Sequence, residues 1–191
     1  MDIRLNGRTA IITGGSAGIG KAIAQNFVLS GANVVIAARR QLNLEKAVSD
    51  IVAACETIKN CQSKVKVISA DVRLAEECVK IVDFTRAEFG GADILINNAG
   101  TSQKGDFLEL SDEVWQEDLD LKLFAAIRLS RLVIPEMRTR KWGRIINVLN
   151  LGAKAPTGGS APTAISRAAG MALMKVLANE NAAYNVLVNG L

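Results

Sequence analysis

Three glycines, Gly14, Gly18 and Gly20, stand between an apolar run, Thr9-Ala10-Ile11-Ile12, and a segment with helical periodicity. A glycine-rich turn joining a buried strand to a helix start lets backbone N–H groups approach a phosphate, and the helix N-terminus adds partial positive charge. That chemistry is nucleotide binding. The spacing is G-x3-G-x-G, a variant of the general G-x-G-x-x-G dinucleotide fingerprint. A glycine-rich strand-to-helix turn without a ligand is the competing reading. About 20 residues past such a turn, a carboxylate commonly takes the ribose 2′-OH of NAD. Here the chain reads Ala37-Ala38-Arg39-Arg40. No acid stands there to repel a 2′-phosphate, and guanidinium groups pair with phosphate in bidentate fashion. NADP(H) is therefore expected in preference to NAD(H), against the alternative that Arg39 and Arg40 are surface charge.

The composition removes other chemistries. The 191 residues contain no histidine, which excludes imidazole bases, His-based metal sites and Ser-His-Asp triads. The net charge of +4 is scattered, without basic runs or interleaved aromatics, so no nucleic-acid partner is expected. Cys55, Cys61 and Cys78 have no C-x-x-C spacing and are expected as reduced thiols, with no metal bound. Met1-Asp2-Ile3-Arg4 carries no basic-then-apolar leader, and no apolar run reaches membrane-spanning length, so a cytoplasmic protein without membrane contact is expected.

The elements that must position the turn alternate along the chain. Short β-branched runs at 9–13, 33–37, 64–69, 93–97, 144–149 and 185–189 are separated by helix-period segments at 19–29, 42–58, 75–89, 111–139 and 160–183. Strands such as Ile94-Leu95-Ile96 are continuously apolar, as expected when helices cover both faces. The fold class is α/β: a doubly wound parallel sheet, three layers α/β/α, of the Rossmann type, with residues 1–191 as one domain. A Gly- and Pro-rich stretch at 152–162 leaves the carboxyl end of the fifth strand, where it is either a substrate-facing loop or a plain connection.

Thr13-Gly14-x-x-x-Gly18-Ile19-Gly20 together with Asn97-Asn98-Ala99-Gly100 resembles the short-chain dehydrogenase/reductase family, and the likeness runs from residue 8 to the end. The resemblance implies that Gly14, Ser16, Gly18, Ile19 and Gly20 hold pyrophosphate and ribose. It places Asp71 and Val72 at the adenine, and Asn98, Ala99 and Gly100 around the nicotinamide ribose. From the residue alone, Asp71 is equally a helix N-cap.

The same resemblance exposes an anomaly. The family's catalytic group is an Asn, Ser, Tyr and Lys set, the last two as Tyr-x-x-x-Lys. The corresponding slots here hold Lys122, Asn150, Thr163 and Arg167. An aliphatic hydroxyl is a far poorer proton donor than a phenol, and a guanidinium is effectively never deprotonated. Lys122 is the one group of the four able to release a proton, if desolvation lowers its pKa, and Asn150 could polarise a carbonyl. Tyr184, the only tyrosine, is out of register and reads as a helix-end packing residue.

Three functions compete on these residues. One is an NADP(H)-dependent oxidoreductase that acts on a small carbonyl or alcohol substrate, for example a 3-oxoacyl compound or other ketone, with an altered proton-donor cluster. Another is a catalytically silent NADP(H)-binding regulatory or oligomer-partner protein. The third is a dinucleotide-assisted lyase or isomerase, or the fold used without cofactor. The resemblance further implies a homodimer or homotetramer through the helices at 111–139 and 160–183, with Phe124, Ile127, Met171 and Met174 as seam residues or, alternatively, extra core. The family continues past a sixth strand into a substrate-binding loop and a seventh, so a C-terminally incomplete domain is expected.

Overall fold

The computed structural model describes residues 4–56 and 62–191. Residues 1–3, the end of the expected second helix at 57–58 and Cys61 lie outside that set. Six strands, β1 (Thr9–Thr13), β2 (Asn33–Ala38), β3 (Val65–Ser69), β4 (Ile94–Asn97), β5 (Gly143–Asn147) and β6 (Val186–Gly190), form one sheet in the order β3-β2-β1-β4-β5-β6. Every neighbouring pair is parallel. The order reverses direction between β1 and β4, so a crevice opens beyond their carboxyl ends.

The period-2 alternation of each strand sorts its side chains into two cores. Ile11, Val35, Leu95 and Ile145 belong to one cluster, whereas Ile12, Ile36, Ile94 and Ile96 belong to the other. Each fully buried branched side chain contributes about 1.5–3 kcal/mol of apolar burial. Helices α1 (Gly18–Leu29) and α2 (Gln41–Glu56) cover the second cluster. The first cluster is covered by α3 (Ala75–Phe89), α5 (Ala125–Thr139) and part of α6 (Ala161–Asn181).

The long helix expected at 111–139 is interrupted. It consists of α4 (Asp112–Leu119), a π-helical turn (Asp120–Phe124) and α5. Asp112 and Glu113 in the first turn of α4 suit its positive end. The widened turn brings Lys122 to only 5% exposure, a burial that 3.6-residue periodicity does not foresee.

Two further expectations change. Cys55 is disulfide-bonded, against the expectation of reduced thiols. Cys78 is free, and burial pushes its thiol up to about 11, so it is inert packing. Met174 packs on the core cluster and leaves the proposed seam, while Phe124, Ile165 and Val176 stay exposed. Among the described residues no helix is long and apolar enough to cross a membrane, and no group of His, Cys, Asp and Glu could hold a metal ion.

Candidate active site

A cleft of about 270 Å³ lies at the sheet's switch point. Gly14, Ser16, Arg39, Arg40, Asp71, Val72, Ala99 and Gly100 all line it, so residues far apart in sequence converge as expected. The glycine turn is fixed from beneath. Thr13 Oγ1 accepts from the Asn98 and Ala99 backbone N–H groups, each at 3.0 Å, and the Gly14 N–H donates to Ala37 O at 2.8 Å. Asn98 Nδ2 donates to Thr13 O at 2.9 Å and Gly14 O at 3.1 Å. Gly14 has φ +64°, and a Cβ there would lie 2.9 Å from Ala99 Cα. Asn98 thus buttresses the turn and is absent from the cleft lining, as are Gly18, Ile19 and Gly20. Gly20 packs beneath the turn, against Asn98 and Gly14 O, and Ile19 is exposed.

The charge pattern follows from two arginine groups. Arg39 and Arg40 are exposed where β2 gives way to α2, and no acid accompanies them there. Asp71 is gripped by Arg73, whose Nη2 donates to Oδ2 at 2.7 Å and whose Nε donates to Oδ1 at 3.1 Å. That bidentate pair holds the Asp71 carboxyl below its ordinary value, with Arg39 adding to the effect. The helix-cap alternative fails, because Leu74 stands at the N-cap of α3. The negative charge that Asp71 brings to the cleft is therefore offset within the fold.

The four slots of the altered catalytic group do not form one cluster. Two of them meet. Lys122 Nζ donates to Thr163 Oγ1 at 2.8 Å, and both residues are buried. Thr163 Oγ1 also accepts from the Gln103 N–H at 2.9 Å. Its single hydrogen has only distant acceptors, Gln103 O at 3.3 Å and Asp118 Oδ1 at 3.5 Å, near the outer limit of hydrogen bonding. Arg167 sits apart: its Nη1 donates to Val148 O at 2.6 Å, and its Nη2 lies 2.4 Å from where a Gly100 Cβ would stand. Asn150 is exposed at the start of a 3-10 turn (Leu151–Ala153), and no side-chain hydrogen bond among the described residues joins it to the other three. Tyr184 lies in a 3-10 turn (Ala182–Tyr184) under the Arg138 guanidinium, 4.8 Å from its ring centre, in the packing role expected.

Two residues missed from sequence stand at the centre of the buried cluster. Asp118 forms an ion pair with Lys122, one helical turn on, and accepts from Ser166 Oγ at 2.6 Å. Asp118 and Ser166 are 2% and 1% exposed, which makes this a closed network rather than a solvated helix face. Burial pulls the Lys122 ammonium below the ordinary lysine value; the Asp118 hydrogen bond and charge oppose that, and Arg167 adds to it. A lysine at i+4 from an acid is the sequence signal, although such pairs normally mark exposed helix faces. Asp118 and Gln103 also line a second cleft, of about 170 Å³, that shares Arg39, Thr101 and Leu121 with the first. The 152–162 stretch leans on the same region through Gly105 N–H to Gly159 O at 3.0 Å.

Comparison with known proteins adds three findings. The family model described as short chain dehydrogenase matches residues 8–191. Dehydrogenase/reductase SDR family member 4 of Bos taurus is 35% identical over 186 residues, covering 97% of this chain and 64% of the relative. D-beta-hydroxybutyrate dehydrogenase of Cupriavidus necator is 31% identical over 187 residues, covering 98% and 70%. The chain therefore spans about two thirds of the length of these relatives. Among solved structures, L-sorbose reductase of Gluconobacter frateurii, complexed with NADPH and L-sorbose, superposes with a TM-score of 0.92 at 37% identity. That match covers 100% of this chain and 70% of the other.

Proposed function

This chain belongs to the short-chain dehydrogenase family, and from that premise we propose that it is an NADP(H)-dependent oxidoreductase interconverting a ketone and an alcohol. Turnover rather than silent binding is favoured by one observation. Although every catalytic slot has changed type, Lys122 and Thr163 still meet at 2.8 Å in a buried, charged network. Such a network is costly to keep in a fold that only binds.

The residues present fit a phosphorylated dinucleotide. Backbone groups of the glycine turn would face the pyrophosphate, Arg39 and Arg40 would supply positive charge for a 2′-phosphate, and the Asp71 carboxylate that shares their cleft is paired with Arg73. The nicotinamide, when bound, supplies or takes the hydride. The chain's own task is the proton. Thr163 Oγ1 would give its hydrogen to the carbonyl oxygen while Lys122 Nζ returns one to Thr163 Oγ1, and the buried, neutral Lys122 would regain its proton through Thr163 Oγ1 from water that replaces the departed alcohol. Arg167 is placed beside Gly100 to position the ribose. Asn150, exposed at the start of the Leu151–Ala153 turn, would orient the substrate.

The substrate class follows the family, with ketoses and 3-oxoacyl compounds as first choices, and the L-sorbose reductase likeness supports the former. A cytoplasmic location belongs to the same reading, as does a homodimer or homotetramer through α4, α5 and α6, and exposed Phe124, Ile165 and Val176 support the association.

The test is NADPH oxidation against a panel of ketoses, simple ketones, quinones and 3-oxoacyl thioesters. Thr163→Val should lower kcat roughly 10²- to 10⁴-fold, the usual range for a lost acid-base group, with nucleotide affinity unchanged. Full turnover in Thr163→Val would remove Thr163 as donor. NADPH binding without turnover on any substrate would make the protein a silent NADP(H)-binding partner.

A further inference from the structure

We propose that Asp118 is a positioning residue that holds the Lys122 ammonium against Thr163 Oγ1, with Ser166 as the second anchor of its carboxylate. The proposal rests on the oxidoreductase reading above and deepens it by naming what keeps the proton source charged and aimed.

The geometry is specific. Asp118 lies on α4, Lys122 in the π turn, and Thr163 and Ser166 on the first two turns of α6, so one carboxylate ties three elements together. Oδ1 takes the Lys122 ammonium, and Oδ2 takes Ser166 Oγ at 2.6 Å. Ser166 Oγ also lies 3.1 Å from Thr163 O within α6, so the Asp118 contact, at 2.6 Å, is the one that joins the start of α6 to α4. Without Asp118, Lys122 would be a buried cation left with Arg167, a like charge from α6. Such an ammonium loses its proton to relieve burial. In the proton step the O–H bond of Thr163 breaks as the new O–H bond of the alcohol forms. One N–H bond of Lys122 breaks to restore Thr163, and Asp118 keeps its charge throughout.

The test reads Lys122 itself, by NMR of lysine labelled with ¹⁵N and ¹³C at the ε position, on the chain without substrate. In the unsubstituted protein the Lys122 ammonium protons should remain visible at neutral pH, whereas solvated lysines exchange theirs away. In Asp118→Asn the Lys122 titration midpoint should fall by about one pH unit or more, and the high-pH limb of carbonyl reduction should fall with it. Recovery of turnover at lower pH would separate this from simple destabilisation. An unmoved Lys122 titration in folded Asp118→Asn overturns the proposal. Should that variant not fold, an unprotected Lys122 signal in the unsubstituted protein overturns it equally. A charged, protected Lys122 in a protein without turnover strikes the oxidoreductase reading instead, so the two failures are told apart.

Discussion

Lys122→Met is expected to destabilise the fold by about 3–5 kcal/mol, because removing one member of a buried ion pair strands the other. Asp118 would keep Ser166 Oγ as a donor at 2.6 Å but lose its cation in a site only 2% exposed to water. The pair Asp118→Val and Lys122→Met should recover much of the loss, since replacing both charges by apolar groups of similar volume is commonly neutral or stabilising. Ser166 Oγ would still reach Thr163 O at 3.1 Å, and Thr163 Oγ1 would keep the Gln103 N–H at 2.9 Å, so neither hydroxyl is orphaned. Urea unfolding of the two single variants and the double variant measures this as a coupling of about 2–3 kcal/mol. Additive losses would mean that the Asp118–Lys122 pair is not the closed, desolvated unit described here. The double variant should be stable and inactive, which separates the network's catalytic purpose from its structural one.

The second large effect belongs to Gly20→Ala. A Cβ at that position would stand 2.4 Å from Asn98 Nδ2 and 2.5 Å from Gly14 O. Both atoms are already committed, since Asn98 Nδ2 donates to Thr13 O and Gly14 O, so neither can retreat without breaking the turn's support. The first turn of α1 must move away from the glycine turn instead. Overpacking of this kind costs about 1–3 kcal/mol. If the displacement falls on the phosphate-facing backbone, NADPH affinity drops by roughly 10- to 100-fold. Calorimetric titration of the variant checks this, and unchanged affinity would show that α1 does not have to abut the turn for binding.

Most of the fold could be read in the chain because a parallel sheet covered on both faces leaves a strong pattern. The runs at 9–13 and 93–97 need no tertiary information. The strand at 144–149 was drawn two residues too long, since Val148 and Leu149 are apolar but lie past the last ladder pair, Asn147 with Gly190. The π turn was invisible: it shifts the helix phase within five residues, too few for a period to reveal it. Of the four residues expected in the catalytic slots, Lys122 and Thr163 are hydrogen-bonded, whereas Asn150 and Arg167 make no hydrogen bond to them among the described residues. A register assigns a position along a strand, not the direction of the loop that follows it. Asp118 and Ser166 went unnoticed because an acid four residues before a lysine reads as a solvated helix pair. Only the packing of α4 on α6 shows that both are buried. Asp71 alone is compatible with two roles, and the structure, with Leu74 at the N-cap of α3 and Arg73 paired to the carboxylate, decides against the cap.

The proposed preference for NADP(H) rests on the glycine turn and the two arginines after β2. It is tested most directly by titrating the complete protein with NADPH and NADH and following the nucleotide fluorescence. NADPH should bind at least about tenfold more tightly, as one charge-assisted contact worth about 1.5–3 kcal/mol implies. Arg39→Glu with Arg40→Glu should abolish that preference while leaving NADH affinity within a few-fold. Equal affinities for the two nucleotides, or binding of neither, would contradict the account.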